Sequence, residues 1–429
     1  MKGKGDIMLL QFNFKNYKSF RDDTTLDMTA TKISEYDKHI IKAGGEQVLP
    51  IAAIFGANAS GKSNVIEAFR YMYEYVRDSL NYGGDTSKKE KDGFVRPTPF
   101  LFDNHTKEAE SVFEVYFINS LDSKEKTYNY GFSIDAGGVV EEWLNVKSKT
   151  AKEASRIFYR NRKTDELDLT GFTNKVKDNL IIALEKETLL VSLGAKLKVE
   201  KLKFVRDWFM NNEFANFGQP VENFFLSQLI PEDFASDETV RKKVLKYLSS
   251  FDESIIDFKV ETIKGEKEED NQFKIFAVHQ MVDVNDFVSI PLQQESAGTL
   301  KMFALYPWVD EVLSSGGILV VDELNAKLHP LLVRVFIQTF LNKELNPNKA
   351  QLIFTTHESW LLNANLLRRD EIWFTEKQQN GISQLYSLAD FVDEDGVKIR
   401  KDENYEKNYL LGKYGAIPTL KYFDLFREE

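Results

Sequence analysis

Gly56-Ala57-Asn58-Ala59-Ser60-Gly61-Lys62-Ser63 follows the apolar run 49–55 and opens a helix-like segment over 64–73. Two glycines five residues apart, then Lys-Ser, in the order strand, loop, helix, is the pattern of a phosphate-binding loop. The chemistry follows from the backbone. Glycines let the chain curl so that successive N–H groups face one anionic centre, and the helix that starts there adds its positive end. Gly56, Asn58, Ala59, Ser60, Gly61 and Asn64 are the residues expected to wrap the phosphates. Lys62 would reach the β- and γ-phosphates, and the Ser63 hydroxyl would complete a Mg²⁺ shell. A tight glycine turn with no ligand is the plainer alternative, and the strand–loop–helix setting argues against it. The stretch implies a nucleoside-triphosphate site.

Composition narrows the setting. At 429 residues the chain can hold two or three domains' worth of core. No apolar run approaches the 18 residues of a membrane span. The opening MKGKGDIMLL is basic but lacks the apolar stretch of a secretory signal. There is no cysteine, so disulfides, thiolate zinc sites and cysteine nucleophiles are excluded. A cytoplasmic protein with no membrane partner is the expectation. The net charge of −11 argues against a dedicated nucleic-acid binder. Any such surface would be local, in Lys147, Lys149, Lys152, Arg156, Arg160, Arg162 and Lys163 or in Lys196, Lys198, Lys201, Lys203 and Arg206. Solvated faces are the blander reading of both clusters.

Patterning places strands near 9–17, 25–29, 112–118, 126–134, 139–146 and 156–159, with a glycine-rich, charged loop at 82–91. From 174 to 248 the apolar spacing turns helical. Strands resume at 257–262 and 273–282. After Ser296 the order is helix, strand, helix, strand, the alternation of a parallel α/β sheet. The expected organisation is one nucleotide-binding head in two halves, 1–173 and 251–429, interrupted by a mainly helical insertion over 174–250.

Two later motifs complete the chemistry. Gly317–Glu323 is an apolar run ending in Asp322 and Glu323, and a buried parallel strand presents its C-terminal end to the ligand crevice. Strands ending in two acids are common; one in the same chain as a phosphate loop reads as the metal-holding Asp322 and the water-polarising Glu323. Ile353-Phe354-Thr355-Thr356-His357 is a second short strand, ending where a γ-phosphate sensor would lie. His357 is the candidate; His39, His105 and His279 show no ligand spacing and read as structural.

With Ser296-Ala297-Gly298 ahead of the acids and Thr355-Thr356-His357 behind them, the chain resembles the ABC-type ATPase heads of the SMC, RecF and OLD proteins. More narrowly it resembles the bacterial AAA-type ATPases of the abortive-infection (AbiLi/RloA-like) group. The stretches that carry this are Phe14–Phe20, Glu295–Thr299, Asp322–Pro330 and the tail Tyr409–Pro418. The resemblance implies an ABC-type P-loop head with a mixed sheet, using ATP and Mg²⁺. It implies that Ser296 and the Gly298 backbone contact the γ-phosphate bound by a partner head, in a homodimer or higher oligomer closed around ATP. Residues 325–329 would then communicate between the two sites. It also implies a defence switch acting on a separately encoded, nuclease-like effector, with only 72 residues following His357. A RecF- or SMC-like genome-maintenance ATPase contacting DNA, directly or through a partner, is the alternative. Glu295 stands where transporters carry leucine. Lys18, Ser19 or Phe20 would supply the adenine contact, and Pro97–Asp103 occupies the expected place of a lid glutamine that it does not contain.

Overall fold

The computed structural model describes residues 7–82, 96–119, 126–219, 221–222, 230–263, 272–363, 365–392, 396 and 398–418. All of the glycine-rich stretch 82–91 except Tyr82 lies outside the described residues. Two large sheets form the molecule. A six-stranded sheet has the order 213–216, 318–322, 351–355, 51–56, 372–377, 383–387, with parallel pairing throughout except for the last, antiparallel strand. A seven-stranded antiparallel sheet runs 166–168, 155–161, 138–148, 126–135, 111–119, 7–15, 24–27. A three-stranded meander (255–263, 272–280, 287–291) precedes Ser296. The mixed-sheet P-loop head expected from the sequence is present.

The inner strands of the first sheet are buried along their whole length because both faces are covered. Successive residues of a strand point to opposite faces, so one strand feeds two cores. Ala52 and Ile54 join the core shared with the phosphate-loop helix (Lys62–Asp78) and the antiparallel sheet. Ile51, Ala53 and Phe55 join the core under the helices Ala297–Ser315 and Pro330–Leu341. Gln351, fully buried, links the sheets. The antiparallel sheet has an irregularity between Leu9 and Gln11, and the Gln351 amide accepts from Leu9 N (2.7 Å) and donates to the carbonyls of Leu9 (3.1 Å) and Leu49 (3.0 Å). Backbone groups left over at the bulge are thereby satisfied.

The segment 174–250 is not set apart from the head. Its helices Asn174–Ala183, Leu190–Lys196 and Glu200–Met210 place Leu180, Leu190, Leu202, Val205, Trp208 and Phe209 in the core of the antiparallel sheet. Its strand Glu213–Asn216 is the edge of the six-stranded sheet, and helix Glu238–Leu248 buries Val244 and Leu248 in the second core. A helical spacing was legible; the four-residue strand inside it was not. The tail also packs inward. Tyr409 stacks on Phe374 at 5.4 Å, and Tyr414, fully buried, accepts at its carbonyl from the Tyr386 hydroxyl (2.6 Å).

Trp208 tests this integration. Its ring is fully buried, 4.5 Å from Phe117 and 4.9 Å from Phe209. Trp208→Ala is expected to cost about 3–5 kcal/mol, read as a lower urea midpoint for the transition that also abolishes nucleotide binding. A transition that leaves nucleotide binding untouched would mean that this segment folds apart from the head.

Candidate nucleotide site

The phosphate loop leaves the sheet between strands 351–355 and 372–377, and close approach to the second of these fixes its shape. Gly56 has φ 154°, and a Cβ there would lie 2.5 Å from both Thr375 O and Thr375 Oγ1. Gly61, at φ 115°, caps the helix where a Cβ would meet Ser383 Oγ at 2.8 Å. Ala59 takes φ 61°, a conformation that is costly for a residue with a side chain. The buried Ser60 hydroxyl pairs with Thr375 Oγ1 (2.6 Å), and the Ser60 carbonyl accepts from Ser383 Oγ (2.7 Å). Gly56 and Ser60 therefore build the loop from beneath. Asn58, Ala59, Gly61, Lys62, Ser63 and Asn64 line a cleft of about 500 Å³ together with Glu323, His357 and Lys377.

Lys62 is 6% exposed and folds back on its own loop, donating to the carbonyls of Gly56 (2.9 Å) and Ala57 (3.0 Å). Burial pulls its pKa down to about 8, against the attraction of Asp322 and Glu323. Opposite it, one hydroxyl organises both acids. Thr355 Oγ1 donates to the buried Asp322 carboxylate and accepts from the Glu323 N–H (2.8 Å). Glu323 adopts φ 54°, and its carboxylate lies 4.0 Å from His357 Nε2. Burial, and then the Lys62 charge, depress the His357 pKa more than Glu323 and Asp322 raise it. His357 is thus neutral near pH 7, able to donate one hydrogen bond while accepting another. Asn325 ties the two motifs, its side-chain oxygen accepting from Thr356 Oγ1 (3.1 Å) and the His357 N–H (3.4 Å).

Ser296 and Gly298 do not line this cleft. Ser296 is exposed and caps helix Ala297–Ser315, its Oγ accepting from Thr299 N (3.1 Å). Gly298 packs beneath the post-acid turn, where a Cβ would lie 3.0 Å from Lys327 O. Glu295 pairs with His279 (2.9 Å). Of the adenine-contact candidates, Phe20 is fully buried and faces Gly61, so it is unavailable to a base. Ser19 Oγ accepts from Asn64 Nδ2 (2.7 Å), and Lys18 is paired with Glu67.

The segment Pro97–Asp103, the expected place of a lid glutamine, has contacts of its own. It packs against the opening strand's loop, with Phe100 N donating to Asn16 Oδ1 (2.9 Å) and Lys18 N to Thr98 O (2.8 Å). A glutamine not singled out in the sequence, Gln219, lies close to the acid turn. It follows the edge strand whose Asn216 pairs with Asp322. Its neighbour Gly218 sits so close that a Cβ would be 3.0 Å from Glu323 Cδ. Gln219 is exposed and donates to Glu67 Oε1 (3.4 Å). The signal was Asn-Phe-Gly-Gln after a short β-prone run, hidden among helices. Lys377, at the end of strand 372–377, was also missed.

A divalent ion fits this donor set. Among the described residues no group of three or more His, Cys, Asp or Glu forms a protein-only cage. One carboxylate and one hydroxyl completed by phosphates and water is the usual Mg²⁺ arrangement, and Asp322 and Ser63 have that chemistry.

A family described as "AAA domain, putative AbiEii toxin, Type IV TA system" matches residues 51–363, most of the chain. The chain belongs to this AAA ATPase family. No curated protein matches it. Among solved structures, it is similar to an Smc head bound to the C-terminal winged-helix domain of ScpA. That match is 15% identical, covers 88% of this chain and 97% of the other, and has a TM-score of 0.48. The SMC head domain of Thermotoga maritima is 14% identical over 88% and 98% of the two chains, at a TM-score of 0.41. The Smc head of Pyrococcus furiosus, with an extended coiled coil and the C-terminal domain of ScpA, is 13% identical over 89% and 96%, at 0.44. No helix among the described residues is long and apolar enough to cross a membrane.

The state of Lys62 sets a pH dependence. With its pKa near 8 in the free protein, the ammonium is present below that pH and lost above it. Phosphates favour the ammonium, so binding above pH 8 takes up a proton. ATP affinity is expected to fall by up to about tenfold per pH unit above 8. Calorimetry in buffers of different ionisation enthalpy checks the proton uptake, and Lys62→Met should abolish both the tight binding and the pH slope.

Proposed function

We propose that this protein is an ATP-binding and ATP-hydrolysing switch whose heads dimerise around nucleotide and control a separately encoded, nuclease-like effector in anti-phage defence. The observation that carries the reading is the convergence of Lys62, Ser63, Glu323 and His357 on one cleft, with Asp322 buried beside Glu323, while Ser296 stands exposed outside it. The family's description, a toxin domain of a type IV toxin–antitoxin system, supports the defence role and the second protein.

In the proposed cycle Lys62 exchanges the Gly56 and Ala57 carbonyls for phosphate oxygens, with the loop N–H groups and the helix N-terminus around them. Ser63 and Asp322 would hold Mg²⁺, which would supply charge neutralisation to the bound phosphates. Glu323 accepts the proton of the attacking water as the new P–O bond forms and the bond to ADP breaks, leaving ADP and inorganic phosphate. Neutral His357 donates a hydrogen bond to the γ-phosphate. Ser296 and the Gly298 N–H complete the site of a second head, and two such heads close on two ATPs.

Direct loading on nucleic acid is less well supported. Much of the basic surface that would serve it is matched by carboxylates. Arg156 lies 3.5 Å from Asp168, Arg160 2.9 Å from Glu142, Arg162 2.6 Å from Asp135 and Lys163 3.1 Å from Glu110, and Lys203 pairs with Asp207.

Glu323→Gln keeps the shape of the carboxylate and removes its basicity. It is expected to bind ATP normally and accumulate as closed dimers on size exclusion with ATP·Mg²⁺, with hydrolysis down by at least about a hundredfold. A parental rate would remove Glu323 from the chemistry.

Ser296→Arg places bulk and an unpaired charge in the seam. Monomeric ATP binding should persist while ATP-dependent dimerisation and turnover are lost. Survival of both would sink the composite site.

A further inference from the structure

Lys301 is a buried cation with no part in the chemistry above. It sits in the second turn of helix Ala297–Ser315, five residues after Ser296, and is 4% exposed. Among the described residues, its ammonium faces no carboxylate at hydrogen-bonding distance. Instead it donates to three backbone carbonyls of the turn that follows the acids: Glu323 (3.2 Å), Leu324 (2.7 Å) and Ala326 (3.0 Å). The same ammonium lies 4.0 Å from the centroid of the Phe217 ring. Phe217 immediately precedes Gly218-Gln219, and its N–H donates to Asp322 O (3.2 Å).

Burying an ammonium is expensive. Here burial, with a smaller push from Lys327, pulls the pKa down to about 7 despite Glu323. A leucine or methionine would fill the space without that cost. What the ammonium adds is three directed hydrogen bonds to a turn whose first residue, Glu323, is held at φ 54°, together with a cation–π contact to the strand that leads to Gln219. On the same helix, Gly298 lies so near this turn that a Cβ there would be 3.0 Å from Lys327 O. Helix and turn thus meet at two places.

We propose that Lys301 is a positioning residue for hydrolysis: it joins the helix that Ser296 caps to the turn that carries Glu323, so that engagement of a partner's nucleotide at Ser296 sets the Glu323 carboxylate in its own site. This deepens the ATP-switch reading and rests on it. Lys301 touches neither substrate nor metal. Its removal affects the rate of the step that needs Glu323 and leaves nucleotide binding, which depends on the phosphate loop, in place.

The test compares Lys301→Met, Glu323→Gln and the double variant in the full chain, by calorimetric ATP affinity and steady-state hydrolysis. Lys301→Met is expected to keep ATP affinity and KM within about twofold and to lower kcat by at least about thirtyfold, about 2 kcal/mol. The double variant should be no slower than Glu323→Gln alone, since both changes disable one step. Parental kcat in Lys301→Met, with Glu323→Gln inactive, would overturn the assignment and leave the ATPase reading standing. A parental rate in Glu323→Gln would instead overturn that reading, and the positioning role with it. A fall in ATP affinity matching the fall in kcat would reduce Lys301 to a packing residue. Phe217→Leu, which takes away the ring and keeps the apolar side chain, covers the case in which Lys301→Met does not fold. It should lower kcat with KM unchanged, and a parental rate there also overturns the proposal.

Discussion

The Thr355 hydroxyl stands between the Asp322 carboxylate and the Glu323 N–H, and the chemistry of the cleft depends on it. A hydroxyl can donate and accept at once, so one atom orients the acid assigned to the metal and the backbone that presents the acid assigned to water. It does so from the adjacent parallel strand, whose Phe354 pairs with Val321. The acids are therefore placed by strand register, and the register is held by apolar side chains buried on both faces. A one-residue slip would turn every one of these residues to the opposite face, so the core and the site are specified together.

Much of this was legible in the chain because it is local. The phosphate loop and the Asp-Glu strand announce themselves by residue order, since backbone curvature and strand ends are set within a few positions. The same holds for Thr355-Thr356-His357. What stayed hidden was long-range. Strand Glu213–Asn216 is four residues long and embedded in helical spacing; only its pairing with Ile318–Asp322 makes it part of the sheet. Gln219 was lost with it. Pro97–Asp103 lay in the right stretch of sequence, but Asn16 and Lys18 hold it elsewhere. Phe20 looked available to a base and is instead packed under Gly61. The first basic cluster looked like a uniform surface because the carboxylates facing Arg156, Arg160 and Arg162 come from other strands.

Electrostatics gives the acidic chain two unusual lysines. Lys62 and Lys301 are both nearly buried, both solvated by backbone carbonyls, and both shifted downward by desolvation. Backbone carbonyls are weaker partners for an ammonium than ionised oxygens, so each lysine is held without being neutralised. The difference lies in what competes for them. Lys62 opens onto the cleft lined by the phosphate loop, where the proposed phosphate oxygens would replace two carbonyls. Lys301 faces the underside of a turn and an aromatic ring, where no rival anion can enter.

That asymmetry separates a movable contact from a fixed one. A ligand shifts a conformational equilibrium only through contacts that differ between the states. In the proposed cycle, nucleotide in the cleft changes the partners of Lys62 and so carries differential energy, while Lys301 keeps its partners and links helix to turn. Helix Ala297–Ser315 meets the post-acid turn through the Lys301 ammonium and Gly298, and the turn meets the His357 strand through Asn325 and Thr355. Each junction is made by a hydrogen bond or by close packing at a glycine. In the proposed coupling, a displacement at the exposed Ser296 cap reaches Glu323 through these contacts. A continuous path from a surface cap to an acid in the cleft is what the proposed two-head mechanism requires.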